Sequence, residues 1–425
     1  MIAAQPDTAP QGTSVDHGAR LAWLDALRGL GALAVVAEHV LPWAMPSLRP
    51  YRFNIGIYGV LVFFLVSGYI IPASLERRGD VRAFWISRLF RLYPIYLLVV
   101  GLVLVMAFWV PVRDSVPRHF SAVAAHVTML FDVAHQGGMV NTMWTLSYEM
   151  VFYLIVTALF VRGAHRRSGL IAIVFGVAAI CAGLVLSGPL LPDHWPAIIA
   201  FVLFVAGMAC LISGRFRTIA AYVLGLMALT LLLSGSYVPW FGAMILAVMF
   251  TGTAIYRWEQ GTGGLVPVAV SAVLVAVAPV WSIQAGWWWV QPDVWITTVA
   301  LAGGTFAIGM ALRGRTVPTA LTWLGLISYS VYLLHVPLMT YLSGVVGDLR
   351  AMPAVVQMAL TLGYLAVLLC VSWLTYRFVE SPARRLGRSW IGRGGDAAAS
   401  SPRSRPGTPF RPSRPAACRD TPHPG

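Results

Sequence analysis

Between residues 21 and 379 the chain repeats one pattern, an apolar run followed by a short connection that usually carries arginine. A helix needs about 20 apolar residues to cross roughly 30 Å of hydrocarbon. Inside lipid only helices and closed barrels satisfy their own backbone polar groups. Twelve runs qualify: 21–43, 55–75, 88–110, 142–161, 169–187, 197–213, 217–234, 238–256, 264–283, 294–312, 320–345 and 354–379. The expected fold is therefore all-α, a polytopic integral membrane helical bundle of about twelve (ten to twelve) transmembrane helices. The seventh to tenth runs are the least sharply bounded.

Composition supports this class, with 58% hydrophobic and 11% charged residues, a balance that a soluble domain does not carry. The net charge of +14 does not point to nucleic acid. There is no lysine, and nine of the arginines lie from Arg384 onward in a Pro- and Ser-rich tail. Most of the others sit in short connections, where they set orientation. With the N-terminus in the cytoplasm, Arg77, Arg78, Arg82, Arg162, Arg166, Arg167, Arg215, Arg217, Arg257, Arg313, Arg315 and the tail all fall on that side. The outer side keeps only Arg49, Arg52, Arg113, Arg118 and Arg350. This predicts a multi-pass protein of the cell (inner or plasma) membrane with both termini cytoplasmic. Residues 1–19 lack the basic-then-apolar order of a cleavable signal and read as disordered, so the first helix is expected to act as a signal anchor. Residues 20–386 form the membrane domain, and 387–425 a disordered basic tail.

Four stretches carry ionisable groups where hydrocarbon is expected. Such groups cost a few kcal/mol each and mark function or a buried partner. In the first run Arg28 and His39 are eleven residues apart. That is about 20° past three full turns and roughly 16 Å along the helix, so they share a face at different depths. Arg88 and Arg91 open the third run three residues apart and also share a face. Two guanidiniums together suit phosphate, which each can grip with a fork of donors; ordinary cytoplasmic anchoring is the competing reading. Glu149 lies about two turns into the fourth run and needs a partner or a raised pKa; a cation on a neighbouring helix, His39 or an arginine, is the economical partner, and a structural salt bridge and an acid/base role stand level. In the eleventh run Ser328, Tyr332 and His335 line one stripe, either bonded to neighbouring helices or facing a cavity. The longest outer connection, 111–141, reads as a solvated or acceptor-contacting loop. Its His119, His126, Asp132 and His135 lack metal-ligand spacing, and no metal is expected.

These pieces together resemble the acyltransferase-3 family, bacterial integral-membrane O-acyltransferases that modify sugars. The matching segments are Leu24-Asp-Ala-Leu-Arg-Gly with His39 beyond it, Phe63-Phe-Leu-Val-Ser-Gly-Tyr69, Arg88-Leu-Phe-Arg91, Trp144-Thr-Leu-Ser-Tyr-Glu149, Ser328-Tyr-Ser-Val-Tyr-Leu-Leu-His335 and Glu380-Ser-Pro. They run in family order from about residue 21 to 386. The resemblance implies acyl-CoA (acetyl-CoA foremost) as a cytoplasmic donor, no permanently bound cofactor, and a carbohydrate hydroxyl as acceptor. It carries Arg28 and His39 over as the essential arginine–histidine pair, Arg88 and Arg91 as the paired arginines, and Glu149 as the acidic residue after Trp-x-x-Ser. Trp144, Ser147, Tyr148, Ser328, Tyr332 and His335 are candidate pocket residues. The family commonly shows about ten core helices against the twelve counted here, and the middle of the chain matches nothing specific. The expected mechanism has arginines on the donor phosphates, His39 as base or acyl carrier, and Glu149 orienting His39. A proton-coupled transporter or flippase of a small molecule or lipid-linked sugar is the rival class.

Overall fold

The computed structural model describes residues 19–109, 118–191 and 193–399. The N-terminal segment before residue 19 and the tail from 400 onward lie outside the described residues. The described chain is helical, with no strand among its elements. In order the helices are α1 (Ala19–Ala44), α2 (Ile55–Arg78), α3 (Val81–Met106), α4 (Phe120–Thr128), α5 (Trp144–Arg162), α6 (Ser168–Val185), α7 (Trp195–Ser213), α8 (Arg217–Ser234), α9 (Pro239–Glu259), α10 (Val266–Val277), α11 (Pro292–Ala311), α12 (Thr319–Val346), α13 (Ala354–Thr375) and α14 (Ser381–Ala399). Among the described residues, eleven helical segments are long and apolar enough to cross a membrane. Helix α1 is not among them. At 26 residues it has the length, but it carries Asp25, Arg28, Glu38 and His39. It lies against α2 and α12, which gives those groups protein to face.

Three close crossings hold the bundle's centre, each made by glycines that let backbones touch. At Gly31 and Gly59, α1 meets α2; at Gly68 and Gly252, α2 meets α9; at Gly325, α12 meets the backbone of Asp25 in α1. A Cβ on Gly68 would stand 1.8 Å from the Met249 carbonyl oxygen, so no other residue fits. Helix α9 is buried from Pro239 through Ala254. It is apolar on every side, as a helix enclosed by other helices must be.

Ion pairs tie the helix ends. The Arg257 guanidinium in α9 holds both carboxylate oxygens of Glu76 in α2 and donates to the His165 carbonyl at 3.4 Å. Arg313 lies 3.4 Å from Glu259, which also accepts from the Tyr69 hydroxyl. At the opposite end Arg49 pairs with Glu38 at 2.7 Å and lies over the Trp288 ring.

Two expectations change. In its described part, from residue 118, the connection after α3 is packed into the bundle rather than a solvated loop. Its described part contains α4, which packs on α7. Met129, Leu130, Phe131, Val133 and Ala134 are buried behind it. Their apolar run is too short to span a membrane but long enough to fold back among helices. The imidazole of His126 is structural: its Nδ1 bonds the Ala122 carbonyl, its Nε2 accepts from the Met139 amide, and its ring stacks on Phe131. Second, α14 continues in helix to Ala399, across the 386/387 boundary at which the tail was expected to begin.

Candidate active site

Helix α3 begins at Val81, earlier than the apolar run suggests. Gly79 closes α2 in the left-handed conformation (φ 65°) and the Asp80 carboxylate accepts from the Arg82 amide at 2.8 Å. This C-cap followed at once by an N-cap makes a tight turn. Arg88 and Arg91 therefore sit about two and three turns inside the helix rather than at its mouth.

They open onto a cavity inside the bundle. Arg28 of α1, Arg88 and Arg91 of α3, and Glu149 of α5 all line it. Phe63, Phe64 and Ser67 of α2 form one wall, and Ser328, Tyr329 and Tyr332 of α12 another. Arg88 is buried, with its guanidinium 5.2 Å from the Phe84 ring centre and 5.3 Å from that of Tyr153. Ring faces attract a cation without using its N–H donors. Among the described residues none of the three guanidiniums reaches ion-pairing distance of a carboxylate. Glu149 accepts from the Tyr153 hydroxyl. Glu380 is buried 3.6 Å from Arg384, in a π-helical turn spanning Tyr376–Glu380, and feels the charges of Arg91 and Arg28. Three cations with unused forks around one cavity are suited to a polyanion.

Beyond Tyr332 lies a pair of imidazoles. The rings of His39 and His335 meet edge to face at 5.1 Å, and the Tyr332 ring is 5.9 Å from that of His335. Each Nδ1 faces a backbone carbonyl, Val35 at 2.9 Å for His39 and Tyr332 at 2.7 Å for His335. A carbonyl only accepts, so in the neutral ring Nδ1 carries the proton and Nε2 keeps its lone pair. His335 is fully buried and its Nε2 has no partner among the described residues.

The structure thus brings Arg28, Arg88, Arg91, Glu149, Ser328 and Tyr332 to one cavity and pairs His39 with His335. It does not join Glu149 to His39: no hydrogen bond or ion pair links them among the described residues. Glu149 instead lines the cavity with the arginines and accepts from the Tyr153 hydroxyl one turn on. Trp144, Ser147 and Tyr148 do not line the cavity. At 100° per residue, Ser147 lies about 160° from both Thr145 and Glu149, on the opposite face. Ser147 instead accepts from the Asp132 amide at 3.1 Å, and Tyr148 bonds the Asp132 carboxylate. Burial pushes that carboxyl, which lies in the connection, up to about 6. Thr145, Tyr329 and Glu380 were not singled out as site residues. Glu380 stands in the Glu-Ser-Pro match, but its approach to Arg91 depends on the π turn.

Residues 21–377 match the family profile described as an acyltransferase domain, acyltransferase 3. The chain belongs to the acyltransferase-3 family. It is similar to the peptidoglycan O-acetyltransferase OatA of Listeria monocytogenes, 24% identical over 395 residues, covering 86% of this chain and 56% of OatA. It is also similar to the acyltransferase MdmB of Streptomyces mycarofaciens, 25% identical over 392 residues, covering 86% of this chain and 92% of MdmB. The O-acetyltransferase OatA of Staphylococcus aureus is 22% identical over 397 residues, covering 86% of this chain and 57% of that protein. The chain thus spans a little over half the length of the two OatA proteins. No solved structure matches it.

Proposed function

We propose that this acyltransferase-3 family member is a membrane O-acyltransferase that moves an acyl group, acetyl foremost, from acyl-CoA to a carbohydrate hydroxyl. The observation that carries the reading is the convergence of the Arg28, Arg88 and Arg91 guanidiniums, with donors unspent, on one cavity inside the bundle. Coenzyme A brings phosphates that match those forks. The similarity to the peptidoglycan O-acetyltransferase OatA supports O-acetylation, and a glycan acceptor by analogy.

Both chain ends lie in the cytoplasm of a multi-pass plasma-membrane protein, so the arginines face the donor pool. The thioester points toward Tyr332 and the imidazole pair. The acceptor oxygen attacks the thioester carbonyl while Nε2 of His39 takes the hydroxyl proton. The C–S bond then breaks, and the leaving thiolate recovers a proton from His39. Glu149, held by Tyr153 among the arginines, limits their mutual repulsion and positions the donor site rather than the base. A variant in which His39 first carries the acyl group uses the same lone pair.

The test is acetyl-CoA turnover by detergent-purified protein and its His39→Ala variant. The reading predicts loss of turnover by roughly 10²- to 10⁴-fold with acetyl-CoA still bound. A folded His39→Ala protein that turns over at the wild-type rate overturns it. Substrate uptake into vesicles without thioester cleavage would favour the transporter class.

A further inference from the structure

Residues 384–388 read Arg-Arg-Leu-Gly-Arg, and the helix that holds them, α14, sorts its side chains by chemistry. At about 100° per residue, Arg384, Arg388 and Arg385 fall within an arc of about 100°. Leu386 and Trp390 lie roughly 170° from the middle of that arc. A third side, through Gly387, meets α3. A Cβ on Gly387 would stand 2.8 Å from the Phe90 Cβ, and the Trp390 ring centre lies 6.0 Å from that of Phe90. Contact with α3 therefore holds the helix while its other two sides stay open. Leu386 and Trp390 are each 52% exposed, and Arg384, Arg385 and Arg388 are exposed as well.

The place of this contact defines a level. The apolar run of α3 begins at residue 88, so Phe90 stands where hydrocarbon starts. Helix α12 leaves the bundle end that carries Arg313, and α13, packed against it, returns there before α14 begins. A helix at that boundary with one apolar and one basic side suits the plane of the interface. Its charges need an anionic partner. Arg384 lies 3.6 Å from Glu380, but Arg385 and Arg388 make no ion pair among the described residues. No acidic residue follows Glu380 before Asp396. Arginines that only set orientation act by their number near a span, which leaves their segregation opposite Leu386 and Trp390 unexplained. A nucleic acid or an acidic peptide would match the arginines and leave the apolar side bare. A bilayer boundary covers both.

We propose that α14 is an interfacial helix whose Arg385 and Arg388 bind the phosphates of anionic lipid headgroups, with Leu386 and Trp390 set in the acyl boundary on its other side. Guanidinium forks fit phosphate oxygens, and an indole is at home at headgroup depth. The assignment stands independently of the acyl-transfer reading.

The experiment is native mass spectrometry of the full chain in detergent, titrated with dioleoylphosphatidylglycerol and with dioleoylphosphatidylcholine. Wild type is compared with the double variant Arg385→Gln/Arg388→Gln. A second double variant, Arg215→Gln/Arg217→Gln, removes equal charge from exposed positions at the start of α8. The expected result is a wild-type preference for phosphatidylglycerol that falls roughly 25-fold in the α14 variant, about fivefold for each arginine, and is kept in the α8 variant. A preference equal in wild type and the α14 variant overturns the proposal, as does wild type without any preference. Equal loss in both double variants also overturns it, since that marks charge attraction without a site. Acetyl-CoA titration of the same samples separates lipid phosphate from donor phosphate. Acetyl-CoA affinity should be unchanged in the α14 variant; its loss with lipid preference retained would assign these arginines to the donor and overturn the lipid site.

Discussion

Replacing Gly68 by alanine tests whether the α2–α9 crossing sets the shape of the cavity. The added Cβ would lie 1.8 Å from the Met249 carbonyl oxygen, 2.6 Å from its carbon and 2.9 Å from its Cα. These are backbone atoms, so no side chain can swing aside. Ordinary contact begins at 3.4 Å, so the helices must part by about 1.6 Å along that line. Overpacking of a close-packed interior costs about 1–3 kcal/mol, and a rigid helix–helix contact belongs at the upper end. Opposing this, alanine is favoured over glycine in a helix by roughly 0.5–1 kcal/mol, leaving a net loss of about 2 kcal/mol. Gly363→Ala in α13 is the control, because a Cβ there meets nothing within 4 Å. The two substitutions must differ in sign: Gly363→Ala neutral or stabilising, Gly68→Ala destabilising. Helix α2 also lines the cavity through Phe63, Phe64 and Ser67, so Gly68→Ala should weaken donor binding as well. Thermal unfolding in detergent, with acetyl-CoA titration of the surviving protein, reads both effects. Equal stability of the two variants would refute the crossing geometry.

Other outcomes follow from single contacts. Burial raises the Asp132 carboxyl to about 6 in the folded protein, against an ordinary value of 3.8. The folded state therefore binds more protons between those values, and stability falls as pH rises from about 4 through 6, by about 3 kcal/mol at most. Asp132→Asn should flatten that slope and raise the melting temperature above pH 6; an unaltered pH profile would remove Asp132 as its source. Arg257→Ala leaves Glu76 without its bidentate partner, and removing one member of a buried pair costs about 3 kcal/mol. Because both charges go, Arg257→Met with Glu76→Leu should recover most of that loss in thermal unfolding.

The spacing of apolar runs made the bundle legible, because a run of about 20 residues must become a helix in lipid. Helices α1, α2 and α5 to α9 lie close to the expected segments. What was hidden depended on caps and buried connections. Asp80 starts α3 before the apolar run does, and Pro279 lies in the 3-10 turn Ala278–Ala285 that follows α10. In the site, periodicity put Arg28 and His39 on one face and Arg88 beside Arg91. Which helix each face meets is a tertiary fact. Glu149 was expected near His39 from depth alone; in the structure Tyr153 of its own helix donates to it and the arginines of α1 and α3 share its cavity. His335 came from the polar stripe in α12, but its meeting with His39 required the α1–α12 contact that Gly325 permits.

The most direct test of the donor site is equilibrium binding of acetyl-CoA to purified protein, beside Arg88→Ala and Arg91→Ala. A charge-assisted hydrogen bond is worth roughly 1.5–3 kcal/mol, or about 10- to 100-fold in affinity. The account predicts saturable binding that weakens by that factor in each variant. Folded protein that binds no acetyl-CoA, or binds it equally well without Arg88 and without Arg91, would contradict it.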